Sequence, residues 1–207
     1  MSIYSSHILP GFIDVFMSGK VFEKQRQTVL MGLQGIVLEV GIGSGLSLPF
    51  YPTSVEKIMA VEPAQSARNI AANRAKNLGI NLEFIGESAE AIPLPDQSVD
   101  FIVSTWTLCT IPDLEKALSE MRRVLKDSGE FHFVEHGRAS DLKVAKWQDR
   151  LTPIQKLIGG GCHLNRKIDD AISSAGFNIK QLDQFYIPGP KFAAYHYVGR
   201  ASRNASV

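Results

Sequence analysis

Apolar residues recur along this chain in two rhythms, one suited to strands and one to helices. Residues 36–40, Lys57–Glu62, Asn81–Ile85, Val99–Ser104 and Phe131–Glu135 are short apolar runs of buried-strand length. Between them, Ala67, Ile70, Ala71, Ala75 and Leu78 are spaced for one face of a helix that Gly79 would close. A second helical set, Leu114, Ala117, Leu118, Met121 and Leu125, closes at Asp127-Ser128-Gly129. Strands alternating with helices predict an α/β, doubly wound, mostly parallel sheet with helices on both faces.

The last third of the chain reads differently. Trp147, Leu151, Ile154 and Ile158 form a helical stripe that contains Pro153, followed by the loop Gly159-Gly160-Gly161-Cys162-His163. A helix over 165–175 ends at Gly176, and strands over 177–186 and 192–200 flank the Pro188-Gly189-Pro190 turn. These two are expected to pair as an antiparallel hairpin at one sheet edge, completing seven strands. Residues 7–33 read as two short amphipathic helices, with Leu9, Phe12, Ile13 and Phe16 on one face. With no repeat or linker, the 207 residues are expected to form one domain. The N-terminal helices over 7–33, together with an insertion over 138–164, would form the cover on the acceptor side.

Composition narrows the partners. A net charge of +1 argues against a nucleic-acid binder, which would carry a basic stripe to collect phosphates. The two cysteines, Cys109 and Cys162, form neither a disulfide framework nor a zinc pattern, so no metal site is expected. Cys162 and His163 are adjacent, but no other ligands stand at suitable spacing. Pro10, Gly11 and Asp14 interrupt the apolar start, which therefore does not read as a signal peptide. No run approaches the ~20 apolar residues of a membrane helix. The expectation is a cytoplasmic protein acting on a small molecule, with peripheral membrane contact and oligomeric state left open.

The sharpest local feature is Val37-Leu38-Glu39-Val40-Gly41-Ile42-Gly43-Ser44-Gly45, an apolar strand breaking into three alternate glycines. Glycine at such a turn supplies positive φ and lets the backbone approach a ligand closely. A nicotinamide-binding G-x-G-x-x-G turn fails because position 46 is leucine, and a phosphate-binding loop fails because no Gly-Lys-Ser/Thr follows. The G-x-G-x-G turn of S-adenosylmethionine (SAM) enzymes remains, beside a purely structural turn. Glu62 ends the second strand, 21 residues after Gly41, where a carboxylate would hold both ribose hydroxyls.

At these residues the chain resembles the class I SAM-dependent methyltransferases, specifically the methyltransferase type 11 domain, over roughly residues 7–200. Glu39, Gly41, Gly43 and Gly45 match the family's first motif, and Glu62-Pro63 its second. The segment from Gly86 to Asp96 is similar to the third, usually G-D-A-E-x-L-P-F-P-D. By this alignment Ser88 stands where an aspartate usually accepts from the adenine amino group. Glu87 is the alternative acceptor, and the Ala89 amide is left for the ring. The segments around His136, Trp147–Pro153 and Gly160–Arg166 resemble a subgroup that includes methyltransferase-like thiol methyltransferases of animals and bacterial small-molecule relatives. Animal members carry an N-terminal apolar anchor, and this sequence starts without one.

The resemblance implies a Rossmann-like fold, SAM as cofactor, S-adenosylhomocysteine as product and direct methyl transfer to a small apolar or amphiphilic acceptor. A thiol is one such acceptor; a phospholipid amine or a quinone-type ring is an alternative, as is an inactive SAM-binding partner protein. Displacement from a sulfonium demands alignment and exclusion of water more than acid–base help. Ligands of an open α/β sheet sit beyond the carboxyl ends of its strands. Ser104, Thr105 and Trp106 follow the fourth strand there and are candidate cofactor contacts, although Trp106 also suits the core. His136, ending the fifth strand, is the catalytic candidate, as proton acceptor or as a group orienting the acceptor. Arg26 is a candidate partner for the cofactor's carboxylate or a solvated surface charge.

Overall fold

The structure, a computed structural model, describes residues 17–203. The first of the two N-terminal helices expected over 7–33, with Leu9, Phe12, Ile13 and Phe16, lies outside the described residues. The elements in chain order are α1 (Lys20–Leu30), β1 (Gly35–Val40), a 3-10 turn (Leu48–Phe50), β2 (Val55–Val61), α2 (Gln65–Leu78), β3 (Leu82–Gly86) and β4 (Val99–Thr105). They continue with α3 (Leu114–Val124), β5 (Leu125–His136), α4 (Leu142–Ile158), α5 (Ile168–Ser174), β6 (Phe177–Tyr186), α6 (Lys191–Ala194) and β7 (Tyr195–Arg203).

The seven strands form one sheet in the order β3-β2-β1-β4-β5-β7-β6. Neighbours from β3 through β5 are parallel, while β7 runs antiparallel to both β5 and β6. This is the Rossmann-like arrangement expected, hairpin included. The order reverses between β1 and β4, and their carboxyl ends open the crevice in which such sheets bind ligands.

Alternation along the strands explains why both faces are covered. Val37, Val103, Val134 and Val198 turn to one side, where Val29, Leu30 and Leu33 of α1 and the turn after it close over them. Leu38, Ile102 and Phe133, each one position away, turn to the other side and pack with Leu118 and Met121 of α3. A period of two with apolar residues at every position is what a sheet buried on both faces requires. Each fully buried Phe or Leu contributes about 1.5–3 kcal/mol relative to exposure. In α2 the buried positions are Ala67, Ala71 and Ala75, with Ile70 and Leu78 exposed, so this helix lies close to the sheet.

Three boundaries differ from the sequence pattern. Strand β5 begins at Leu125 and runs through Asp127-Ser128-Gly129, because Leu125 already pairs with Val99, with a register shift before Glu130. A side chain at Gly129 would meet the Asp100 carbonyl at 2.6 Å, so its place in the strand depends on having none. Helix α5 starts at Ile168, and β7 starts at Tyr195 because residues 191–194 form α6.

Helix α4 turns its apolar stripe outward: Trp147, Ile154 and Ile158 are each 57% exposed and Leu151 is half-buried. The buried face is instead Val144, Ala145, Gln148 and Thr152. Polar bonds rather than bulk hydrophobics seat the helix: the fully buried Gln148 accepts from Ala139 N at 2.8 Å and donates to the Gly137 carbonyl at 2.8 Å and that of Phe192 at 3.1 Å. Among the described residues, no helix is long and apolar enough to cross a membrane.

Candidate active site

The glycine turn leaves β1 with φ of 70°, 57° and 78° at Gly41, Gly43 and Gly45, all left-handed. Side chains at the three positions would meet different neighbours. At Gly41 a Cβ would run into the Thr107 side chain, and at Gly45 into Leu48 at 2.6 Å and the Ala71 backbone at 3.3 Å. At Gly43 it would meet nothing within 4 Å. Gly41 and Gly45 thus permit packing within the protein, and Gly43 is the glycine that keeps open space clear for a ligand. No helix starts at this turn; the chain passes through the 3-10 turn straight into β2. A dinucleotide site needs a helix N-terminus facing its pyrophosphate, so the fold removes the nicotinamide alternative.

Glu62, one residue past β2, is 7% exposed. Its Oε2 accepts from Gly43 N and its Oε1 from Ala64 N, both at 2.9 Å. Burial raises its pKa against the pull of those two amides and of Arg68. A carboxylate has about four lone-pair sites, so two remain for ribose hydroxyls. Pro63 is exposed beside it. Glu39 is fully buried one strand away and accepts from Tyr51 Oη at 2.9 Å; burial pushes its pKa up to about 7. That bond ties β1 to Tyr51, just past the 3-10 turn that follows the glycines.

Beyond β3, Glu87 and Ser88 are exposed and Ala89 is buried. Ser88 Oγ accepts from Glu90 N at 3.1 Å, and Glu87 lies 3.9 Å from Arg68. Past β4, Ser104 is fully buried and donates to Glu135 Oε1 at 2.8 Å. Thr105 is half-buried, and Trp106 has the left-handed φ of 53°. The Trp106 ring meets Phe22 edge-on at 5.3 Å, and the Arg26 guanidinium lies over it at 4.9 Å. Arg26 is 4% exposed and donates to Met17 O at 2.8 Å, so it is not a solvated surface charge.

Glu135 is the organising residue that pattern reading passed over. Fully buried, it accepts through Oε1 from Ser104 Oγ, Thr107 N at 2.9 Å and Leu108 N at 3.1 Å. That one oxygen fixes the path of the chain leaving β4. Its signal in the sequence was an acid directly after the apolar run Phe133-Val134, at the carboxyl end of the strand.

His136 lies next to it and does not stand alone. Its Nε2 is 2.9 Å from Cys162 Sγ, and Cys109 completes a trio whose ligand-type atoms all lie within 4.8 Å of one another. Cys162 is the sulfur held below the ordinary thiol range, first by the hydrogen bond with Cys109 and then by His136; Cys109 is pushed up. His136 is raised: burial opposes its charge, but Cys162 and Glu135 outweigh that. His163 takes another place, its ring Nδ1 3.1 Å from the Cys109 carbonyl.

Trp106 Nε1, at the end of β4, and Glu135 Oε2 and His136 Nδ1, at the end of β5, are buried polar atoms without hydrogen-bond partners among the described residues, a condition rare in folded proteins.

Comparison with known proteins agrees with this geometry. A family profile described as "Methyltransferase domain" matches residues 38–133, from β1 into β5. Thiol S-methyltransferase TMT1B of Rattus norvegicus is 34% identical over 153 residues, 71% of this chain and 62% of the relative. Thiol S-methyltransferase TMT1A of Homo sapiens is 32% identical over 158 residues, 73% of this chain and 64% of the relative. The chain therefore spans less than two thirds of the length of either. The crystal structure of the YcgJ protein from Bacillus subtilis shares the fold, with a TM-score of 0.72 at 17% identity, covering 89% of this chain and 98% of that one. Over residues 38–133 the chain matches the methyltransferase domain, and the relatives it resembles are methyltransferases. Its cofactor is SAM, and the residues at the strand ends fit that group. The open face of Gly43 and the spare lone pairs of Glu62 are adjacent, on the ligand side of the switch point.

Proposed function

We propose that this methyltransferase acts on the sulfur of a small thiol. The observation that carries the reading is the His136–Cys162 contact, an imidazole nitrogen 2.9 Å from a sulfur at the carboxyl end of β5, the end of the sheet at which open α/β folds bind ligands. The relatives named thiol S-methyltransferase support it. When bound, SAM supplies an electrophilic methyl group on a sulfonium.

The chain's own residues bind, orient and dry the site. Gly41, Gly43 and Gly45 shape the turn that receives the cofactor, with Glu39 bracing it from behind. Glu62 holds the ribose hydroxyls with its unused lone pairs. Glu87, Ser88 and the Ala89 amide border the adenine. Thr105 and Trp106 wall the donor side, and Ser104 supports them through Glu135. His136 orients the acceptor sulfur. Alignment and water exclusion account for most of the barrier lowering expected in such a displacement.

The test is radiolabelled methyl transfer from SAM across a panel of small thiols, amines, phenols and phospholipids. Methylation of thiols alone is the expected result. Transfer to a lipid amine or a quinol ring in preference would replace the acceptor, and SAM binding with no transfer to any class would reduce the chain to a SAM-binding protein.

A further inference from the structure

The trio Cys109, His136 and Cys162 is brought together from three separate parts of the chain. Cys109 follows β4, His136 ends β5, and Cys162 sits in the glycine loop after α4. One imidazole nitrogen and two sulfurs converge within 4.8 Å, and both sulfurs are buried free thiols. Two thiolates and one imidazole are the donor set of a thiophilic divalent cation, with zinc the borderline-soft ion that suits it best. Zinc bound by three protein groups keeps a fourth position for an exogenous ligand, whereas a closed structural site would show four.

The backbone around the trio is held as a ligand shell must be. Arg138 N donates to the Arg166 carbonyl at 2.8 Å, tying the end of β5 to the stretch after Cys162. His163 N donates to the Cys109 carbonyl at 2.8 Å, tying that stretch to the loop after β4. The Arg166 guanidinium donates to the carbonyls of Leu108 and, at 2.6 Å, Ile111, pinning the Cys109 loop from both sides. Gly160 and Gly161, with φ of 61° and 92°, make the reversal that returns Cys162 to the sheet. The Nε2–Sγ separation of 2.9 Å is shorter than the spacing of two ligands around one ion. With Zn–S of about 2.3 Å and Zn–N of about 2.0 Å, the pair must open by somewhat over half an ångström, which a side-chain rotation supplies. The Nδ1 of His136 has no partner among the described residues and is free to keep the ring proton while Nε2 ligates.

We propose that Cys109, His136 and Cys162 form a binding site for one zinc-class cation with an open fourth position facing the acceptor side. A consequence rests on the thiol reading above: a thiol entering the fourth position binds as thiolate and releases its proton to water, and His136 orients it by way of the ion.

The test uses the full chain, reduced with a phosphine and exposed to Zn2+ or Co2+ alone. One ion per chain is expected, with a Kd of about 1 µM or below, and with cobalt the thiolate charge-transfer and tetrahedral d–d absorption. Cys109→Ser and Cys162→Ser should each weaken binding by more than about 100-fold, beyond the loss of an outer partner. SAM calorimetry on the same variants reports that they are folded. Because the metal readings come first from the unaltered chain, a variant that fails to fold leaves them decisive. No bound ion with both thiols reduced and titratable overturns the site, as does a cobalt spectrum lacking charge transfer. A chain that binds the ion in this way yet methylates no thiol overturns the acceptor and leaves the site standing. Equal thiol methylation with the ion bound and stripped overturns the ion's part in turnover.

Discussion

The Glu62 carboxylate reaches from the end of β2 into the turn after β1 and accepts from Gly43 N at 2.9 Å. The residue expected to hold the ribose is thus also the residue that sets the shape of the glycine turn. Cofactor binding and turn geometry are coupled through one side chain.

Glu62→Ala is therefore expected to cost more than a ligand contact. It leaves the amides of Gly43 and Ala64 without their acceptor, worth about 1–3 kcal/mol each where buried. SAM affinity should fall more than about 100-fold by calorimetry, with a lowered Tm. Glu62→Gln retains one acceptor oxygen and should fall between Ala and the unaltered chain in both measurements. An unchanged Tm in the Ala variant would show that the turn holds its shape without the carboxylate.

The glycines separate in the same assays. Gly43→Ala faces open space, so its cost is the left-handed φ alone, about 1–2 kcal/mol, while the added methyl enters the ligand's side of the turn and weakens SAM. Gly45→Ala pushes on Leu48 and the Ala71 backbone, and should destabilise by about 2–4 kcal/mol. Thermal melts and calorimetry on both variants check this, and equal loss of stability would remove the distinction.

Ser104 is committed to Glu135 rather than to the crevice. Ser104→Ala should lower stability by about 1–2 kcal/mol, while SAM affinity stays within a few-fold, because Thr107 N and Leu108 N still hold Glu135 Oε1. A loss of SAM binding far larger than the loss of stability would restore Ser104 as a direct cofactor contact.

Glu39 gives a pH signature in the cofactor-free protein. Its folded pKa of about 7 lies above the ordinary 4.5, so the folded state holds a proton that the unfolded state has released between those values. Stability contributed by this group is present below about pH 4.5 and lost as pH rises through about 7, on the order of 3 kcal/mol in all. Glu62 and Glu135 are shifted the same way, so the informative quantity is the difference between the unaltered chain and Glu39→Gln. Denaturant titrations from pH 5 to 8 should show a flatter profile for the Gln variant, and parallel profiles would remove Glu39 as a source.

Much of the sheet was legible because its strands carry apolar residues at both parities and its helices end on glycine, as Gly79 does in the left-handed conformation. The N-terminal part of β5 was not, because Asp127-Ser128-Gly129 has the composition of a turn and only pairing with β4 makes it strand. The exposure of the α4 stripe was not legible for a related reason. Periodicity says that one face of a helix is apolar, but not that the face is covered, and Gln148 seats this helix with its amide.

The sequence by itself determined the alternation of strands and helices, the glycine turn and the acid that follows it, since each is a local pattern of fixed spacing. It brought Glu39, Gly43 and Glu62 to the right end of the sheet. Only the tertiary structure decided that Gly43 alone of the three glycines faces open space, that Glu135 fixes the chain after β4, and that His136 meets Cys109 and Cys162. Those relations join residues some 26 to 66 positions apart whose spacing follows no period, so they exist only once the strands are ordered and the loops at their ends converge.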